Sequence, residues 1–483
     1  MGPGRVPAGP AHHPRGRRRR GPLLRRADGP DPGLHPRHRL PGRRRRDRLG
    51  GPAAPARPVG LPRLGTAPGR HGDLHRPITP EGGRVMRASL LQGPALLIAA
   101  ALLVACSPAP EEAAGPAPSE DPAQALRLAL LDVEPGGVVE IPAGRLAFDR
   151  GLSLAVDGVT LRGQGSDLSV LSFAGQRAGA EGLLVTADGV TLEGFAVEDA
   201  KGDAVKINEC RDLVIRDVRT EWTGGPSSGN GAYGLYPVQC EGVLIEDSTA
   251  IGASDAGIYV GQSRDIVVRR NRVEYNVAGI EIENSFRADV YDNDVTHNTG
   301  GILVFDLPDL PVQGGRETRI RGNRVRDNNT ANFAPEGNIV GTVPAGTGIM
   351  VNANDAIEIV DNDLEEHATA AVLVVSYLIT GRPVEDADYD PWPEAVHVHG
   401  NRIGRSGYDP DSEPLIALRT ALGGADLPSV LWDGFVAPDG DGPVLCVHDN
   451  EGASVAALDA PNGFAAPRFE ASEFDCTLPP LEL

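Results

Sequence analysis

Residues 257–282 read Gly257-Ile258-Tyr259-Val260-Gly261-Gln262-Ser263-Arg264-Asp265-Ile266-Val267-Val268-Arg269-Arg270-Asn271-Arg272-Val273-Glu274-Tyr275-Asn276-Val277-Ala278-Gly279-Ile280-Glu281-Ile282, one full period and the start of the next. The stretch opens on Gly-Ile-x-Val, passes through an apolar patch and an Asn-x-Val, and returns to Gly-Ile-x-Ile. Within each patch apolar residues alternate at period two, the mark of strands, and the repeat is too short to hold a pair of helices.

Working outward, the first element recurs as Gly182-Leu183-Leu184-Val185, Ala204-Val205-Lys206-Ile207, Gly234-Leu235-Tyr236-Pro237, Gly301-Ile302-Leu303-Val304, Gly348-Ile349-Met350-Val351 and Ala371-Val372-Leu373-Val374. The second element aligns Asn271, Asn293, Asn323, Asn362, Asn401 and Asn450, with Phe195, Val218 and Ser248 at that point in earlier copies. No single turn can bury its own apolar face. Turns must therefore stack, with strands ~4.8 Å apart, around a continuous core. The Asn column reads as architecture, because Asn tolerates left-handed backbone and stacked amides hydrogen-bond along the axis. The spacing predicts an all-β fold, a right-handed parallel β-helix of three-strand turns over 136–450, with a C-terminal tail or cap over 451–483. Leu126, Leu130 and Leu131 stand at helical spacing, so a short capping helix is expected over 121–135, covering strand edges that would otherwise aggregate.

That helix, the Pro135-Gly136-Gly137-Val138-Val139-Glu140-Ile141-Pro142-Ala143-Gly144 segment and the turns together resemble the parallel β-helix repeat superfamily over about residues 121–450. The resemblance implies a scaffold shared by polysaccharide lyases, mannuronan epimerases, polygalacturonases and non-enzymatic periplasmic proteins, so it leaves activity open. Gly202-Asp203-Ala204-Val205 is similar to part of a polygalacturonase motif, but the second Asp is missing, and the Asp-Pro-His-Asp of the epimerases is absent.

Ahead of the repeats lie two further segments. Residues 1–85 hold 20 Arg, no Lys and five acids, leaving 26 bases and 61 acids, a charge of -35, for the remainder. Rich in Pro, Gly and Arg, this leader lacks apolar periodicity and reads as disordered. Its Arg17–Arg20 and Arg43–Arg46 runs are assigned no nucleic-acid partner. Met86-Arg87, the apolar run Leu90–Val104 and Leu103-Val104-Ala105-Cys106 form a complete export signal over 86–105. Met86 is therefore the expected start, and the leader is expected to be no part of the real protein. The Leu103–Cys106 tetrapeptide resembles the lipobox of bacterial lipoproteins, which implies lipidation of Cys106, a flexible tether over 106–120, and a place in the bacterial cell envelope, anchored to the membrane.

Four further cysteines suit an oxidising compartment. Cys210 lies three residues after Ile207 and Cys240 three after Pro237, the same point on adjacent turns. Register thus predicts Cys210–Cys240, and an outward Cys446 within reach of the tail predicts Cys446–Cys476.

In Gly-Ile-x-Val strands the x residue and the one after Val face outward: Lys206 and Asn208, Tyr236 and Val238, Tyr259 and Gly261, Glu281 and Glu283, Leu303 and Phe305. Inserts Glu221–Ala232, Asn328–Gly346, Asp306–Thr318 and Ser376–Ala395 flank this strand and are expected to wall a groove. An exposed Lys-Tyr-Tyr-Glu row would span roughly 14 Å, enough for several sugars, with Asn208, Tyr236 and Tyr259 as substrate-binding residues. Glu281 and Glu283, two residues apart on one face, suit general acid–base hydrolysis or a weak calcium site. Lys206, one of two lysines, or Tyr236 is the candidate base of a lyase or epimerase. A chain this acidic repels a polyuronate unless calcium intervenes. His297, His367, His397 and His399 show no metal-ligand spacing and read as structural. The expected function is polysaccharide binding, with cleavage or epimerisation as the catalytic form, by a monomer without an obligatory cofactor. The competing class is a non-catalytic scaffold that presents loops to a partner.

Overall fold

A computed structural model describes residues 121–440 and 442–483. The leader 1–85, the signal 86–105, the tether 106–120 and the lipidation residue Cys106 lie outside the described residues.

The helix Pro122–Asp132 begins where Asp121 accepts a bond from the Ala123 N–H at 3.0 Å, with Pro122 in the first turn, where a missing N–H is harmless. Ala123, Leu126 and Leu130 form its buried face and join the solenoid core. Among the described residues, no helix is long and apolar enough to cross a membrane.

Beyond the helix, every turn delivers one strand to an eleven-stranded parallel sheet, called here the front sheet, and its other strands to a second parallel sheet. Ile258 pairs in register with Ile280, Ile280 with Ile302, Ile302 with Ile349 and Ile349 with Val372, all fully buried. Each such side chain contributes about 1.5–3 kcal/mol by leaving water. The front sheet ends with Val455–Ala457 paired to Val430–Trp432, so the solenoid runs past residue 450 into the segment assigned to the tail.

The Asn column is a hydrogen-bonded ladder. The amide oxygen of Asn293 accepts the backbone N–H of Asn271 at 3.0 Å, Asn323 does the same for Asn293, and the series continues through Asn362, Asn401 and Asn450. A second ladder, absent from the reading of the sequence, runs through Asn276, Asn298 and Asn328 at the corner entering the front sheet. His367 follows it, buried, with Nε2 3.1 Å from the Val325 carbonyl. This ladder explains the repeat's Gly: a Cβ on Gly279 would stand 2.9 Å from the Asn298 amide nitrogen and 2.6 Å from Val295. Both disulfides join the predicted pairs, with Cα separations of 4.5 Å for Cys210–Cys240 and 5.0 Å for Cys446–Cys476.

On the outer side of the second sheet, acids and arginines of adjacent turns pair. Glu246 accepts from Arg216, Arg269 and Arg270 at 2.7–2.8 Å, and these bonds hold its carboxyl down at about 2 against the effect of burial. Much of the acidic charge is thus matched locally.

Candidate functional site

The inserts lie on the front sheet instead of standing beside it. Ala256, Tyr259, Ala278, Leu303, Phe305, Met350 and Leu373 point out of the solenoid, yet they are buried in a second apolar cluster with Val340 and Val343 of one insert and Leu415 and Leu427 farther along. This corrects the expectation of an exposed row. Tyr259, Glu281 and Glu283 are buried, whereas Lys206, Asn208 and Tyr236 remain partly open on the earlier turns.

Specific bonds seat the inserts. Asn284, in left-handed backbone at φ 47°, donates its amide to the Leu307 and Val312 carbonyls, both at 2.9 Å, and accepts the Leu307 N–H. Asp306 accepts from Gly315 N–H at 2.8 Å, while the Tyr389 hydroxyl donates to the Asp306 carbonyl at 2.6 Å and ties in the insert 376–395. Asn338, on the insert 328–346, donates to Asp255 at 3.0 Å.

Under this cover lies a group of tyrosines and carboxyls. The rings of Tyr233, Tyr236 and Tyr259 meet at centroid distances of 4.4–4.9 Å. The Lys206 ammonium sits over the Tyr236 ring, 4.9 Å from its centroid, and 4.0 Å from Asp203. The Tyr259 hydroxyl donates to Glu283 at 2.5 Å, and that of Tyr233 to Asp255 at 3.4 Å. Gly261 makes the first of these bonds possible: a Cβ there would lie 2.3 Å from the Tyr259 hydroxyl oxygen, so the phenol crosses a position with no side chain to reach the next turn. A cavity of about 320 Å³ opens onto Tyr233, Asp255, Glu283, Leu307 and Asn338.

Burial shifts these groups toward their neutral forms. Asp255 is pushed up to about 7, against the opposing bonds from Asn338 and Tyr233. Glu283 also rises to about 7, against the Tyr259 bond. Glu281, wholly enclosed and close to the charge of Glu283, rises well above the usual carboxylate range, and neither of its oxygens has a partner. Burial lifts Asp203 to about 6 despite Lys206. Two carboxyls lifted to about 7 thus line one cavity, where each can be found protonated or ionised near neutral pH.

The structure therefore brings Lys206, Tyr236, Tyr259 and Glu283 together, places Glu281 behind them away from the cavity, and leaves Asn208 on the open turn. Sequence reasoning missed Asp255, Tyr233 and Asn338. One signal was present: Tyr233 shares a register column with Ala256, Ala278 and Gly300, a large residue followed by small ones that leave room beside it. Of the histidines read as structural, His397 and His399 converge with His448 on the second sheet.

A family model described as the right handed beta helix region matches residues 157–314 and 228–379. No curated protein matches the sequence. Similar solved structures include the A-module of a mannuronan C-5 epimerase from Azotobacter vinelandii, 17% identical over 70% of this chain and 92% of that one, with a TM-score of 0.43. An alginate lyase from Paenibacillus sp. is 15% identical over 68% of this chain and 92% of its own, TM-score 0.36. A DFA-IIIase from Arthrobacter chlorophenolicus is 12% identical over 72% and 83%, TM-score 0.38. Likenesses at this level carry no argument about what this chain binds.

Proposed function

We infer that this chain, a right-handed parallel β-helix repeat protein, binds a glycan on its front sheet and transfers protons to it from the Asp255–Glu283 pair, the chemistry of glycosidic-bond hydrolysis. The observation that carries the reading is that one cavity is lined by two carboxyls, both lifted to about 7, beside three packed tyrosines. One carboxyl serves as general acid toward the leaving oxygen while its partner, ionised, serves as base or nucleophile. Tyr236, Lys206 and Asn208 on the neighbouring open turns offer a stacking face and polar contacts for adjoining sugar units.

Electrostatics favours a neutral glycan over a polyuronate. Asp203 and Asp306, lifted only to about 6, stay largely ionised at neutral pH while burial keeps Glu281 neutral, and the cation Lys206 is already close to Asp203. A uronate carboxylate entering this field is repelled, which weighs against the lyase and epimerase alternatives.

The test is incubation of purified protein with a panel of neutral and uronic glycans, with and without calcium, scoring new reducing ends. Asp255→Asn and Glu283→Gln should each lower turnover by about 100-fold or more while binding stays within a few-fold. Turnover indifferent to both substitutions overturns the assignment. Glycan binding lost in Tyr236→Ala but without turnover in the parent protein establishes the non-catalytic reading instead.

Envelope anchoring through a lipid on Cys106 is part of the same proposal, supported by the Leu103–Cys106 motif and the Pro/Glu/Ala-rich stretch after it. Cys106→Ala should release the protein from the membrane fraction, and retention of that variant would refute the anchor.

A further inference from the structure

We propose that Glu358, His397, His399 and His448 form a binding site for a divalent transition-metal ion of the zinc class, on the second sheet and separate from the glycan site. The ligands come from three adjacent turns. Glu358 pairs in register with His397, and His399 with His448. His397 and His399 are two residues apart on one strand and share a face. The four side chains therefore occupy neighbouring positions on a single patch.

Their donor atoms converge. One ligating atom from each of the three histidines lies within 4.8 Å of the others, and the Nε2 atoms of His397 and His448 are 2.7 Å apart. Glu358 brings Oε1 to 3.1 Å from His399 Nε2. Tetrahedral coordination at about 2.0–2.1 Å per bond sets its ligands a little over 3 Å apart, inside the range found. Three imidazoles and a carboxylate select borderline ions such as Zn²⁺ over Ca²⁺ or Mg²⁺, which require oxygen ligands.

The surroundings are those of a built site. Glu358 and His397 are both only 5% exposed. Nδ1 of His448 lies 3.1 Å from the Asp449 carboxylate, the outer contact that orients a ligating imidazole and leaves its Nε2 lone pair free. The Leu481 N–H donates to Oε2 of Glu358, and the Leu481 carbonyl accepts from Arg319, so the C-terminal segment closes one side. Cys446 is the register partner of His397, and its disulfide to Cys476 pins that segment beside the patch. A cavity of about 460 Å³ next to His448 gives access from solvent. With the three imidazoles as ligands and Glu358 held against His399 and the Leu481 N–H, the ion clamps the last turns and the tail together.

The experiment uses the full chain without an affinity tag, stripped with chelator and titrated with Zn²⁺ by calorimetry and with Co²⁺ by visible absorption, followed by thermal unfolding. One equivalent should bind, Co²⁺ should show the intense bands of a tetrahedral site, and Tm should rise on loading. His448→Ala and His399→Gln, each at a partly open position, should weaken binding at least about 100-fold and abolish the Tm rise, and Asp449→Asn should weaken it about 10-fold. His297→Ala, remote on the solenoid, should change nothing. Absence of saturable binding, or binding that survives His448→Ala together with His399→Gln, overturns the site.

Discussion

The Tyr259 hydroxyl donates to Oε1 of Glu283 at 2.5 Å, joining two consecutive turns of the front sheet diagonally across Gly261. The bond favours the ionised carboxylate and opposes the upward push of burial on Glu283. Tyr259→Phe should therefore raise the Glu283 pKa from about 7 and move the corresponding limb of the pH–activity profile upward. Loss of the bond should also lower stability by about 1.5–3 kcal/mol. Gly261→Ala, which leaves the phenol chemically intact but displaced, should reproduce the pH shift; an unchanged profile in both variants would contradict the coupling.

Stability should fall as pH rises across the carboxyl cluster. Asp255 and Glu283 have folded pKa values of about 7, above their ordinary values of 3.8 and 4.5. Their contribution is fully present below those ordinary values and is lost as pH climbs through about 7. Glu246, held at about 2, acts in the other direction, and its contribution disappears as pH drops from 4.5 toward 2. Urea midpoints should thus be higher at pH 5 than at pH 8, and Asp255→Asn combined with Glu283→Gln should reduce that difference, with Asp203 and Glu281 supplying part of the remainder.

The Asn ladder holds successive turns together through buried hydrogen bonds. Asn293→Ala leaves the Asn271 N–H without its acceptor and the Val268 carbonyl without its donor, both buried. A loss of about 2–4 kcal/mol is expected in chemical denaturation, with glycan affinity unchanged in the folded fraction. Asn208→Ala, on the outward face, should show the reverse: little change in stability and weaker glycan binding.

Both disulfides span 30 residues of sequence. Removing either as a Cys→Ser pair should lower stability by about 3–4 kcal/mol through the greater freedom of the unfolded chain. Cys446→Ser with Cys476→Ser should additionally weaken Zn²⁺ binding, since the tail beside Glu358 is no longer pinned. A thiol count on the unfolded, unreduced chain that finds Cys210, Cys240, Cys446 and Cys476 free would contradict both bridges.

The repeat was legible because a solenoid translates sequence period directly into spatial register. Strand alternation, stacking order, the Asn ladder and the Cys210–Cys240 pairing all follow from counting along the chain. The Asn276 ladder is hidden in the sequence because it holds only three amides before His367 takes the next position, and the register column of Tyr233 is hidden because its other members, Ala256, Ala278 and Gly300, are small residues ahead of the Gly-Ile-x-Val pattern.

The sequence by itself determined which residues point out of the solenoid at Lys206, Tyr236, Tyr259, Glu281 and Glu283, since that depends only on local alternation. Only the tertiary structure decided what outward means at each one. Inserts of irregular length, seated by Asn284, Asp306 and Asn338, fold over part of the face and bury it, and insert paths follow no period. Burial then set the acidities, lifting Asp255 and Glu283 to about 7 in one cavity while enclosing Glu281. The same holds on the second sheet, where His397, His399 and His448 meet because loops of unequal length still return to one register.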